Sequence, residues 1–143
     1  MKVCSFEVAK LLHDNNIEIP SIHAYAIDDI YYFPLGYDCE FHAKPGELIK
    51  FYDHCYYSFL SSMSDVYNRM IMAPCYIDIL NWLCLNKHTY VSIIWFPYCD
   101  KNNERSCVYN IKYNDIEKPY NDSSKVFNNY EDAIEAAIIE ILK

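Results

Sequence analysis

The residues of this chain that are best suited to chemistry form two short groups of cysteine and histidine. Cys39 precedes His42 by three positions, and His54 is adjacent to Cys55. Thiolate and imidazole are ligands that zinc prefers, and a structural zinc site takes four of them. Adjacent residues of a regular element point in different directions, which makes His54 and Cys55 hard to direct at one ion. We therefore predict no bound metal and no cofactor. A metal site formed by these four residues is the alternative.

Paired tyrosines with nearby cations form a second group of candidates. Tyrosine rings stack on a nucleotide base while their hydroxyls form hydrogen bonds, and a phosphate group would need cations nearby. The sequence therefore suggests a nucleotide or small-molecule site made of Tyr31, Tyr32, Tyr56, Tyr57, Lys50 and Arg69. The competing interpretation is structural, because alternation along a strand turns one tyrosine of each pair to the core and the other to solvent.

Sequence signatures of the common enzyme classes are missing. The chain contains two glycines, Gly36 and Gly46, which cannot build a glycine-rich phosphate loop. Neither HExxH nor GxSxG occurs. A Cys/His nucleophilic pair is conceivable, but no spacing selects one pair from seven cysteines and five histidines. We expect a protein without enzymatic activity, with a Cys/His or metal-dependent enzyme as the alternative.

Charge and composition narrow the partners and the compartment. The net charge is −8, which disfavours direct binding to nucleic acid and is compatible with a basic protein partner. No apolar run is long enough to span a membrane. The odd number of cysteines, the absence of CxxC and the absence of an export signal indicate reduced thiols. We therefore expect a protein of the cytosol that does not bind membranes.

Three helices are predicted from their starts and their apolar periodicity. Ser5 caps a helix at about 6–15, and Pro74 favours a helix start before 75–86. Asn129 caps the last helix, 130–142, with Asp132 at the third position of a capping box. The buried face of that helix is predicted to consist of Tyr130, Ala133, Ile134, Ala137, Ile138 and Ile141.

Strands are predicted between these helices from alternating and β-branched residues. Their predicted ranges are 21–27, 30–33, 48–52, 89–96 and 107–113, with Pro97 ending the fourth of them. The short loop between the last two requires antiparallel pairing, and the segment 34–72 is largely uninterpretable. We predict a single α+β domain over 1–143, with three helices packed on a small, largely antiparallel sheet in the order α-β-β-(unclear)-α-β-β-α.

One residue of the last helix suggests self-association. Ile139 lies off the predicted buried stripe and would be an exposed apolar side chain. Together with Leu142 and Leu85 it is a candidate contact surface of a homodimer, since symmetric dimers are common among small proteins. A single exposed isoleucine is also normal in a monomer.

Two segments of the chain carry a family resemblance. The first is Ala73-Pro74 followed by Trp82-Leu83 and a strand; the second is the apolar helix with Tyr130-Glu131, Ala133 and Glu135-Ala136. Together they resemble small proteins of gut Bacteroides-type bacteria and their phages. The resemblance covers the first helix and 73–142, and it carries no catalytic residue. It implies a phage or mobile-element protein. We therefore expect an accessory protein that binds a host protein in the bacterial cytosol, in a counter-defence role, with a small-molecule or nucleotide-binding protein as the alternative.

Overall fold

The computed structural model describes residues 2–32, 41–50, 69–99, 101–114, 120–122 and 125–143. The chain divides into two compact units. The N-terminal unit comprises residues 3–75, and the C-terminal unit comprises residues 76–143 together with residues 1–2. The prediction of a single domain stays a prediction, and each unit is described separately below.

The N-terminal unit combines one helix with five short strands in its described residues. The helix is α1 (Phe6–Asp14), and it packs against the last of the strands. A three-stranded antiparallel sheet has the order β4-β1-β5, and β2 pairs with β3 in a two-stranded sheet. The strands are β1 (His23–Ala26), β2 (Ile30–Tyr32), β3 (Phe41–Ala43), β4 (Leu48–Lys50) and β5 (Met70–Met72).

The first helix begins where the sequence predicts. The hydroxyl of Ser5 accepts a hydrogen bond of 3.3 Å from the main-chain N–H of Val8, which satisfies one of the free donors of the first turn. Val8, Ala9 and Leu12 form its buried stripe. The helix ends at Asp14, and Asn15 is its C-cap.

Strands β1 and β2 form one arm of a long hairpin, and β3 and β4 form the other. Tyr25 pairs with Leu48 before an interruption, and Ile30 pairs with Ala43 after it, so the register is the same on both sides. The interruption therefore contains four residues in each arm, 26–29 and 44–47. On the second arm it is a turn with Pro45 at its second position and Gly46 at its third, where φ is 83°.

The C-terminal unit contains two helices and a three-stranded antiparallel sheet in its described residues. The sheet order is β6-β7-β8, and α3 packs on β6 and β7. A core cluster of Tyr109, Ile111 and Ala137 joins the sheet to α3, with Val91 and Ile93 packed against it. The elements are α2 (Tyr76–Lys87), β6 (Tyr90–Cys99), β7 (Arg105–Lys112), β8 (Tyr120–Asp122) and α3 (Tyr130–Leu142).

The prediction of an α+β fold with antiparallel strands is confirmed, and among the described residues the pairing is distributed over three small sheets. The predicted end of a strand at Pro97 is wrong, because β6 continues to Cys99. Proline is tolerated there because β6 is an edge strand and its register against β7 shifts between Trp95 and Cys99. Tyr130 is also not on the buried face: its side chain is 51% exposed at the first position of α3.

Candidate functional site at the free edge and hairpin end of β6

The two cations of the predicted nucleotide site lie at opposite ends of β1. Lys50 pairs with His23 at the start of β1, whereas the carbonyl of Arg69 accepts from Ile27, just beyond the end of that strand. These ends are about 10 Å apart along the strand. Tyr31 and Tyr32 belong to β2, and Tyr56 and Tyr57 lie outside the described residues. The structure therefore does not bring Lys50 and Arg69 together.

His42 is the one residue of the predicted metal set that lies within the described residues. It is the central residue of β3, and its Nε2 lies 3.5 Å from Oδ1 of Asp29. Cys39, His54 and Cys55 lie outside the described residues. Where the structure describes the chain, no group of three or more His, Cys, Asp or Glu side chains is placed to hold a metal ion.

The described cysteines carry free thiols. Cys107 is fully buried in β7, and its Sγ donates to the carbonyl of Asn129 at 3.6 Å. Burial raises the pKa of the Cys107 thiol, which keeps it protonated. A protonated thiol is a poor nucleophile, so Cys107 does not suit covalent catalysis.

The three residues of the predicted dimer surface differ widely in exposure. Leu85 of α2 is 75% exposed, Ile139 is half-buried, and Leu142 is buried with 8% of its surface accessible. Leu142 takes part in the core because α3 remains helical to that residue. Leu142 is therefore not available for a contact with a second copy.

Several exposed apolar and aromatic side chains of the C-terminal unit lie together in β6. Ile94, Trp95, Phe96 and Tyr98 are 50%, 38%, 40% and 82% exposed. Edge strands are usually protected by charged side chains, yet no charged residue occurs from Tyr90 to Cys99. Among the described residues, β6 pairs with β7 along one edge and its other edge has no strand neighbour.

The direction of the main-chain groups of β6 follows from Cys107 of β7. Its N–H and carbonyl exchange hydrogen bonds of 2.7 and 2.8 Å with Phe127, on the side of β7 away from β6. Its Cα partner Trp95 therefore forms a non-hydrogen-bonded pair with it. Main-chain groups alternate in direction along a strand, so the N–H and carbonyl groups of Trp95, Ile93 and Val91 point to the free edge.

Four side chains line a cleft where the β6–β7 hairpin ends, and Tyr98 directly precedes Cys99, the Cα partner of Arg105. We call these five residues the hairpin-end patch: Trp95, Tyr98, Glu104, Arg105 and Asn128. The guanidinium carbon of Arg105 lies 5.7 Å from the centroid of the Trp95 ring. An Nη of Arg105 donates to the carbonyl of Phe96 at 3.4 Å, which also restrains the side chain. An open cleft of about 500 Å³ is lined by Trp95, Glu104, Arg105 and Asn128. Arg105 therefore makes a cation–π contact with Trp95 beside an open cleft.

The sequence prediction missed the hairpin-end patch because it ended the strand at Phe96 and left Tyr98 outside any predicted element. The available signal was the composition of 90–99, which combines aromatic residues with a complete lack of charge in an acidic chain. An uncharged run of this kind fits a buried strand equally well. Its position at the edge of a sheet is known only from the structure.

A second cleft lies within the N-terminal unit. It has a volume of about 510 Å³ and is lined mainly by apolar side chains of α1, of the segment after it and of β5. Polar groups at this cleft come from His13, Glu18 and Ser21. The Ser21 hydroxyl is already engaged, since it donates to the carbonyl of Ala73 at 2.9 Å and accepts from the N–H of His23 at 3.0 Å.

Comparison with protein-family models, with curated proteins and with solved structures yields no match. Among the described residues, no helix has the length and apolar character that crossing a membrane requires. The geometry of β6 and its hairpin end is therefore the basis for a functional proposal.

Proposed function

We propose that this chain is a phage-type accessory protein without enzymatic activity, which binds a host protein in the bacterial cytosol. The observation that carries the proposal is the hairpin-end patch. Tryptophan, tyrosine and arginine are the residue types that contribute most binding energy at protein interfaces. Here Arg105 lies against Trp95 near one end of an uncharged edge strand, and the exposed Tyr98 precedes Cys99, the Cα partner of Arg105. The resemblance to phage proteins supports the host protein as the partner and counter-defence as the role.

The restraint on Arg105 favours binding over simple exposure. Its guanidinium is held by the Trp95 ring and by the carbonyl of Phe96, so less side-chain freedom is lost when a partner binds. The guanidinium still has donors that the Phe96 carbonyl does not use, and they suit a carboxylate or main-chain carbonyl of the partner. Tyr98 adds an amphipathic ring that is 82% exposed.

The proposal predicts that a double variant, Tyr98→Ala with Arg105→Ala, loses a specific host partner. Removing two central residues of an interface costs about 2 kcal/mol or more each, so retention should fall by well over tenfold. The measurement is a pull-down from lysate of a gut Bacteroides-type bacterium, followed by titration calorimetry with the purified captured protein.

The matched control is Leu85→Ala, which removes a 75% exposed side chain outside the hairpin-end patch. It should retain the partner at wild-type level. Recovery of the same protein in equal amount by the double variant would reject the hairpin-end patch as the docking site. Failure of the wild-type chain to retain any specific protein would reject the proposed function.

Small-molecule binding is the second candidate, and the cleft of the N-terminal unit favours it. A volume of about 510 Å³ is within the range of ligand sites. The carboxylate of Glu18 disfavours a phosphate there, so an uncharged or cationic apolar molecule fits better than a nucleotide. A rise in melting temperature with such molecules, abolished in Ile17→Trp, would favour this function, because Ile17 is a half-buried residue of the cleft lining.

A further inference from the structure

The usable main-chain edge of β6 has two defined ends. Toward the N-terminus, the N–H of Thr89 is already bonded to the carbonyl of Leu83 at 3.2 Å. Toward the C-terminus, the next outward position after Trp95 is Pro97, which has no N–H. Between these ends, Val91, Ile93 and Trp95 present both an N–H and a carbonyl to the free edge.

This outward set is symmetric about Ile93. A second copy of β6 related by a two-fold axis through Ile93 runs antiparallel to the first. It places Ile93 opposite its own counterpart and Val91 opposite Trp95. All three outward residues of each copy then face outward residues of the other. A two-fold axis at any other residue of β6 engages fewer of them, because Thr89 or Pro97 then enters the ladder.

The side chains and the charge of β6 also suit a second copy. On the exposed face, this register puts Tyr90 opposite Phe96, so two aromatic side chains meet, and it puts the small Ser92 opposite Ile94. Each chain has a net charge of −8, but β6 itself contributes no charge that would repel its counterpart. Val91 and Ile93 remain packed on the core cluster, so no rearrangement of the unit is needed.

We propose that two copies of this chain associate through the free edges of β6, which join their three-stranded sheets into one antiparallel sheet centred on Ile93. The proposed ladder uses the main chain of Trp95, whereas Tyr98 and Arg105 of the hairpin-end patch lie outside it, so the dimer can be tested without a host partner. Strand pairing over so few residues buries less area than a standard interface of about 800 Å² per partner. We therefore expect a reversible dimer whose population depends on protein concentration.

Val91→Pro tests the main-chain contact directly. Proline removes the outward N–H, which β7 does not use, and it is tolerated at such edge positions. Sedimentation velocity from low micromolar to millimolar concentration should show a monomer for Val91→Pro and a monomer–dimer equilibrium for the wild type. Val91→Ala keeps the N–H and is the matched control, which should still dimerise.

Ile94→Lys tests the same interface without changing the main chain. Two lysines would lie diagonally across the two-fold axis, and we expect the dimer to weaken by roughly tenfold or more. Val126→Lys is its control, because Val126 is also 50% exposed and does not lie on β6. Circular dichroism melting of all four variants shows whether each remains folded.

Hydrogen exchange locates the interface at single residues. The amides of Val91, Ile93 and Trp95 should become protected as concentration rises, while the exposed amides of the 101–104 loop should not. A wild type that is monomeric throughout, or a folded Val91→Pro variant that dimerises as the wild type does, overturns the proposal. Dimerisation without protection of these amides overturns it as well.

Discussion

Tyr109 and Glu140 meet inside the C-terminal unit, where the phenol donates a hydrogen bond to the carboxylate. Burial, then the hydrogen bond and negative charge of Glu140, raise the pKa of Tyr109 to about 12. Burial and the same carboxylate also raise the pKa of Tyr113. The hydroxyl of Tyr76 likewise donates a hydrogen bond of 2.9 Å to the carboxylate of Glu135, a second glutamate of α3. Carboxylates of α3 therefore anchor tyrosines of both α2 and β7.

The raised pKa of Tyr109 predicts a loss of stability at high pH. An unfolded tyrosine has a pKa near 10, so below that pH both states keep the proton and the stabilisation is complete. Between about pH 10 and 12 the unfolded chain releases its proton first, and the free energy of unfolding falls as pH rises. Tyr109→Phe should make this fall shallower by up to roughly 2 kcal/mol, measured by urea unfolding across that range.

Tyr90→Phe is the control for this measurement, since Tyr90 is an exposed tyrosine of the same unit. Titration of the other tyrosines, lysines and cysteines affects all variants alike, so the difference between curves is informative. A Tyr109→Phe curve that falls as steeply as the wild-type curve would be inconsistent with the prediction.

The Tyr109–Glu140 contact could not be predicted from the sequence, because the two residues lie 31 positions apart and no local pattern relates them.

Helix α3 illustrates what an element encodes locally. The side-chain Oδ1 of Asn129 accepts from the N–H of Asp132 at 2.8 Å, as the sequence predicts. The carboxylate of Asp132 bonds the Asn129 side-chain amide at 2.8 Å, a variation on the capping box, in which it would bond the cap's main-chain N–H. Both contacts span three positions, which explains why this helix start could be recognised from the sequence.

Loss of this cap should destabilise the C-terminal unit. Asn129→Ala removes an acceptor at the N-terminus of α3, and we expect a cost of about 1 kcal/mol in urea unfolding. Asn128→Ala, at the neighbouring exposed asparagine, should change stability by less than about 0.5 kcal/mol. Equal effects of the two substitutions would contradict the capping role.

The strands that the sequence missed share a physical cause. β3, β5 and β8 have three residues each, a length at which an alternating pattern is hard to recognise, although the equally short β2 and β4 were predicted. Their stability comes from distant partners: Met72 of β5 pairs with Ala24 of β1. The longer strands β6 and β7 were found because β-branched and aromatic residues continue over most of their length. The error at Pro97 arose because its edge position is a tertiary property.

On the scale of the whole molecule, the net charge of −8 sets how the proposed dimer responds to salt. Two acidic copies repel each other over distances that salt shortens, from about 10 Å at 0.1 M to about 3 Å at 1 M. β6 has no ion pairs for salt to weaken. The dissociation constant should therefore decrease severalfold as sodium chloride rises from 0.05 to about 0.5 M, by sedimentation velocity. A dimer that salt dissociates would instead be held by ion pairs elsewhere.

The α+β class could be predicted from the sequence because helical and strand patterns interleave along the chain. The division into two compact units could not, because no linker-like composition occurs near residue 75. The candidate site was missed for a similar reason: exposure of Trp95 and Tyr98 depends on the order of the strands, which no local pattern reveals.

The long hairpin of the N-terminal unit has an evolutionary consequence. Its arms keep one register across residues 26–29 on one side and 44–47 on the other. A single-residue deletion on one side would reverse the facing of every side chain beyond it. Length changes in these segments should therefore be inherited as compensating pairs, one in each arm, whereas substitutions at the same positions remain individually tolerable. Homologous chains would show this as gaps that occur together.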